Sequence, residues 1–133
     1  MQLDPDLAYT LLPRVDPGRV RSGIAVGLRD GALMALVAAG LSTAEITALR
    51  ASAITLSGGQ ILVAVHRQRT TWTAALPTDL GARLLAWLSE SRLWSEPEPI
   101  FRGPRGPLTP IGIRKVLDRY RNRQIPPRRA QKT

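Results

Sequence analysis

The sequence contains no cysteine and a single histidine, His66. The first absence excludes disulfide frameworks, thiolate zinc sites and a thiol nucleophile, and the second excludes a histidine-rich metal centre. No apolar run approaches the roughly 18–20 residues needed to span a bilayer. The N-terminus carries Asp4 and Asp6 where a secretory signal would carry a basic and then an apolar segment. These absences point to a cytoplasmic protein with no membrane segment, metal or cofactor. One further scarcity is local: after Glu98 the only acidic residue is Asp118.

With 133 residues, 44% of them hydrophobic, the chain is long enough to bury one core. Its formal charge is +9. Residues 102–133 hold ten basic residues against one acid, whereas residues 1–101 hold nine of each and sum to zero. The whole excess lies in the last quarter. A neutral body with a basic end is the electrostatic footprint of a protein with a polyanion partner, most often nucleic acid. Arginine outnumbers lysine 17 to 2; a compositional bias explains which basic residue was used, not why the acids vanish.

Along the chain, residues 3–13 read as a short helix closed by Pro13, and Asp16-Pro17-Gly18 as a turn. Residues 29–39 are apolar nearly all round and end at Gly40, the pattern of a buried helix with a glycine cap. Ser42-Thr43-Ala44-Glu45 has the form of a capping box opening a second helix. The period then changes to that of strands: 54–56, 61–65 and 71–76, separated by turns at 57–60 and 67–70. Pro77-Thr78-Asp79 restarts helix, with Thr78 as N-cap and Leu80, Leu84, Leu85, Leu88 and Trp87 as its apolar stripe. Trp94 reads as core beside it. Residues 95–108 form a proline- and glycine-rich loop. Thr109-Pro110 is an N-cap followed by proline at the first helical position, and the last helix runs to about Arg123. Its inward face is Ile113, Val116, Leu117 and Tyr120. The expected class is α+β, mostly helical, with a small three-stranded antiparallel sheet. The domain occupies residues 1–123, and 124–133 form a basic flexible tail.

Several pieces, taken in order, resemble the first half of the tyrosine recombinase (phage integrase) catalytic domain. They are Arg29-Asp30-Gly31-Ala32-Leu33, Gly40-Leu41-Ser42-Thr43-Ala44-Glu45, Ser52-Ala53-Ile54-Thr55-Leu56, Ala75-Leu76-Pro77 and Ile100-Phe101 through Pro107-Leu108-Thr109. The resemblance implies a fold like a truncated form of that domain. It also implies what is missing. The family's first catalytic arginine belongs directly after Gly-Leu, where this chain has Ser42. Glu45 then remains as a helix cap. The family's lysine in the turn between the second and third strands is matched by Arg67, whose pKa makes it a poor proton donor. The H-x-x-R box and the nucleophilic tyrosine would follow the Thr109 helix, where the sequence reads Ile125-Pro126-Pro127-Arg128-Arg129. Tyr120 is core by its spacing from Val116 and Leu117.

Other features read plainly. His66 is a surface residue beside Arg67, and Trp72 is half-buried sheet packing. Gly103 to Pro107 lacks the lysine and hydroxyl of a phosphate loop. Glu96 and Glu98 lie in a proline loop with nothing to orient them as an acid–base pair. The expectation is a non-catalytic double-stranded DNA-binding protein, sequence-specific or general, serving as an accessory or regulatory factor of a mobile genetic element. Its DNA contacts would come from Arg67 and Arg69 in the hairpin, and from Arg102 and Arg105 in the loop. The last helix would add Arg114, Lys115, Arg119, Arg121 and Arg123, and the tail Arg128, Arg129 and Lys132. The alternative is a protein-interaction module, self-associating as a homo-oligomer or partnering an intact recombinase.

Overall fold

The apolar segment of the sequence becomes the central helix, α2 (Ile24–Ala38), in which ten residues are buried. The computed structural model describes residues 3–19, 23–91, 98–103 and 105–122. Helix α2 begins at Ile24, five residues before the expected Arg29, because Gly23 at φ 111° turns the chain directly into it. It ends as the sequence indicates. Gly40 takes φ 102°, the Gly40 N–H reaches the Val37 carbonyl (2.9 Å), and the Leu41 N–H reaches that of Leu36 (3.1 Å). This is the paired Schellman closure, and the left-handed position needs glycine.

Helix α1 (Pro5–Leu11) packs across α2, with Asp4 capping its first turn and a 3₁₀ turn (Leu12–Arg14) following it. Helix α3 (Thr43–Ala48) opens on the expected capping box: the Glu45 N–H donates to Ser42 Oγ (3.2 Å), and the Ser42 N–H to Glu45 Oε1 (2.8 Å). The antiparallel meander follows as β1 (Ile54–Ser57), β2 (Gln60–Arg67) and β3 (Thr70–Leu76), in that spatial order. Gly58 and Gly59 both have positive φ, the requirement of a type I′ hairpin turn. Ile61, Val63, Val65, Ala74 and Leu76 point inward to the core; the opposite face is largely exposed.

Helix α4 (Thr78–Ser91) lies against α2 and buries Leu80, Leu84, Trp87 and Leu88. Thr78 is its first helical residue rather than its N-cap. Strand β3 runs to Leu76, so Pro77 alone makes the junction, and its carbonyl accepts the Gly81 N–H (2.8 Å). The Trp87 indole donates to the Ile100 carbonyl (2.8 Å), holding the following segment on the core. Within the expected loop a short antiparallel pair forms, β4 (Arg102–Gly103) with β5 (Gly106–Pro107), closed by Gly106 at φ 112°. Trp94, Glu96 and residues 123–133, including Arg123 and the whole tail, lie outside the described residues.

Helix α5 (Pro110–Asn122) is the last described element. Thr109 caps it, its Oγ1 accepting the Gly112 N–H (3.0 Å), and Ile113, Val116, Leu117 and Tyr120 face inward as expected. Its docking is fixed by a buried polar cluster. Asp30, fully buried on α2, accepts at Oδ1 from Arg29 Nε (3.1 Å) and Nη2 (2.8 Å). At Oδ2 it accepts from the Tyr120 hydroxyl (2.8 Å). The fold class is α+β and mostly helical.

Removing one member of this cluster leaves the others buried and unmatched. Tyr120→Phe is expected to cost about 1–3 kcal/mol through loss of a hydrogen bond to a buried carboxylate. Asp30→Ala, which strands the Arg29 guanidinium, is expected to cost about 3–5 kcal/mol. Urea unfolding measures both; a midpoint shift with unchanged slope assigns the loss to the native state.

Candidate nucleic-acid interface

The buried face of α5 decides which side chains remain outside. With Ile113, Val116, Leu117 and Tyr120 turned inward, Arg114, Lys115, Arg119 and Arg121 are all exposed. At about 100° per residue they divide into two stripes. Arg114 and Arg121 share one side of the helix with Asp118, and there they line a shallow pocket of about 330 Å³ with Leu3, Asp4, Leu7 and Leu117. Two carboxylates, those of Asp4 and Asp118, thus temper the charge of this stripe. Lys115 and Arg119 share the other side. Arg119 reaches back to Asp30 Oδ2 at 3.6 Å while 46% of its side chain stays exposed.

The second stripe leads toward the β4–β5 hairpin through Arg29, whose Nη1 donates to the Arg102 carbonyl (3.3 Å). The Arg102 side chain is half-exposed and ion-paired with Glu98 at 2.7 Å. Arg105 stands exposed at the hairpin turn. Glu98, which had no orienting partner in the sequence reading, therefore has one. Around Asp30 two arginines share one carboxylate, so the region where α2, α5 and the hairpin meet carries a net positive charge.

The other expected contact site is the turn between β2 and β3. Arg69 is exposed there, next to Gln68 at φ 55°. Arg67 is held. Its Nε donates to Glu45 Oε2 (2.7 Å), and its Nη2 donates to Glu45 Oε1 (3.0 Å) and to the Gly40 carbonyl (2.6 Å). Its guanidinium stacks over the Trp72 ring at 3.9 Å. Trp72 is half-buried, as expected, but its ring serves this stack as well as the sheet. Glu45 is more than a helix cap, because the same carboxylate orients Arg67. The Arg67 guanidinium holds the Glu45 carboxyl below the usual glutamate value, and Glu45 raises Arg67 in return. His66 is exposed, with Nδ1 3.3 Å from Thr71 Oγ1.

Behind this turn a groove of about 600 Å³ runs between α3 and β2, floored by alanines, with Glu45, Arg50 and His66 among its lining. Its lining is mainly apolar and is not part of the basic surface. Among the described residues no group of three His, Asp or Glu side chains is placed to hold a metal ion, and no helix is long and apolar enough to cross a membrane.

Sequence reasoning placed the exposed cations of α5 but missed the partners of Arg67 and Arg119. Both partners are distant in sequence. The one available signal was Arg29-Asp30, a charged pair inside an otherwise apolar helix. No protein-family pattern, curated protein or solved structure matches this chain.

The Glu45–Arg67 pair has a defined pH signature. Glu45 titrates lower in the folded protein than in the unfolded chain, where its ordinary value is 4.5. Its contribution to stability is therefore complete above that value and is lost as pH falls through the depressed folded value. Denaturation of wild type and Glu45→Gln across a pH series should show a stability gap that is constant near neutrality and narrows below 4.5. A gap still undiminished at the lowest pH would assign the loss to something other than this ion pair.

Proposed function

We propose that this chain is a non-catalytic, double-stranded DNA-binding protein, with an integrase-like fold and a role as an accessory or regulatory factor of a mobile genetic element. One observation carries the reading: the charge excess confined to the last quarter of the sequence stays at the surface wherever that quarter is described, on α5 and at the β4–β5 turn. Phosphates would be contacted by Lys115, Arg119 and Arg105 first, since the other α5 stripe is tempered by Asp4 and Asp118. Arg114 and Arg121 would add weaker contacts. Arg69 is free to reach a second stretch of backbone, whereas Arg67 offers only what Glu45 and Gly40 leave uncovered.

The relation to the tyrosine recombinases is part of the proposal. It is supported by the order of elements and by one convergence. Ser42 and Arg67, which match the positions of the family's first arginine and its lysine, both hydrogen-bond to Glu45 (2.8 and 3.0 Å). Chemistry at this spot is disfavoured on physical grounds. A serine that caps a helix supplies no positive charge to a scissile phosphate, and an arginine strengthened by an ion pair does not release a proton. The nearest tyrosine in family order, Tyr120, donates its hydroxyl into the buried Asp30 cluster.

Fluorescence anisotropy of a labelled mixed-sequence duplex over a salt series tests the reading. Binding should weaken with salt on a log–log slope of about −4 or steeper, and Lys115→Ala with Arg105→Ala should flatten it by about one per charge. A suicide substrate that traps phosphotyrosine should yield no covalent complex. Absence of binding at low salt would overturn the DNA reading and leave the protein-interaction module.

A further inference from the structure

Among the described residues the three-stranded sheet has one long open edge, since strand β3 pairs only with β2 there. Arg67 and Thr70 close a two-residue turn and pair with each other, so their backbone groups face inward across the ladder. The alternation of an antiparallel pair then turns Trp72, Ala74 and Leu76 toward β2, and Thr71, Thr73 and Ala75 away from it. All three outward residues are exposed, and no described residue hydrogen-bonds to their backbone. Strand β1, the opposite edge, is only four residues long and so offers far less to a partner.

Soluble proteins guard such an edge with lysine, proline, a bulge or a covering segment. Here Thr70 to Leu76 contains no charge and no proline, the register with β2 is unbroken, and nothing described covers the edge.

We propose that β3 is a self-pairing edge, joining two copies of this chain antiparallel about a two-fold axis at Thr73. The sequence of the strand is self-complementary about that point. Thr73 meets Thr73 of the second copy, and Thr71 meets Ala75, so that all three outward residues find partners and each pair exchanges both N–H···O bonds. On the inward face Trp72 meets Ala74, a large ring beside a small side chain. In the same register Arg69 falls opposite Pro77 of the other copy, just past the end of the strand. Pairing about a two-fold axis uses the β3 edge of both copies and closes the assembly at a dimer.

A single strand edge makes a small interface, in the class of weak, reversible associations. The protein should be monomeric at about 1 µM and substantially dimeric at about 200 µM. Sedimentation velocity without DNA reads this directly and is independent of any nucleic-acid binding. Thr73→Lys and Thr73→Glu each place like charges face to face at the axis, on the exposed side of the sheet where the core is untouched. Each alone should weaken self-association by at least about tenfold, and an equal mixture of the two should restore it as a heterodimer. Circular dichroism and thermal melting confirm that both variants fold. A wild-type protein that stays monomeric across the range, a Thr73→Lys variant that dimerises as well as wild type, or a mixture that stays monomeric would each overturn the proposal.

Discussion

Asp30 is a carboxylate with no exposed surface, in the middle of the most buried helix of the protein. A charge in that position is tolerable only if its oxygens are matched by donors and its charge by a cation. Arg29 supplies the cation, Tyr120 a hydroxyl from 90 residues away, and Arg119 a second, more distant positive charge. The arrangement makes α5 a dependent element. Its apolar face alone would seat it loosely, since Ile113, Val116 and Leu117 are interchangeable contacts, but the hydroxyl of Tyr120 reaches Asp30 in only one rotation and depth. Arg14 adds a second tie by donating to the Tyr120 carbonyl (3.1 Å). The orientation of every exposed cation on α5 follows from that seating, so the basic surface is a consequence of a core interaction.

A comparable dependence operates at the hairpin. Glu45 closes the first turn of α3 and at the same time grips Arg67 at the end of β2, so a helix cap and a sheet register share one carboxylate. Trp72 adds its ring beneath the guanidinium, and the Gly40 carbonyl accepts another of its protons. Four local decisions are thereby mutually consistent: where α2 stops, where α3 starts, how β2 and β3 pair and where Arg67 points. Consistency of this kind narrows the set of alternative packings open to a small sheet that has only one covered face.

The parts legible in the sequence were those governed by neighbours. The Ser42–Glu45 box, the Thr109-Pro110 start, the Gly40 stop and the Gly58-Gly59 turn each need only three or four adjacent residues, and each formed as read. The apolar stripes of α4 and α5 were legible for the same reason. Errors fell where two segments meet. The start of α2 depended on a glycine the periodicity ignored, the N-cap of α4 moved to Pro77 because β3 ran up to it, and the β4–β5 pair arose inside a stretch read as loop. At the candidate interface the exposed cations were visible as cations, but whether each is paired was not. Nothing in the sequence links Glu98 to Arg102 more strongly than Glu96, or Glu45 to a residue 22 positions on.

The chain thus keeps its charge and its neutral sheet edge in different elements, and the separation has a physical consequence. Two copies of a protein with nine excess positive charges repel at long range, and the repulsion is least at the surface farthest from the arginines of α5 and the β4–β5 turn. Strand β3 carries no charge of its own, so its edge adds nothing to that repulsion. Salt would act on the two surfaces with opposite sign. Screening over a Debye length of about 8 Å removes the attraction between phosphates and arginines, but it also removes the repulsion that opposes strand pairing. A polyanion bound across the basic face would neutralise the same repulsion without screening. Under the proposed reading, DNA and a second copy would therefore favour one another.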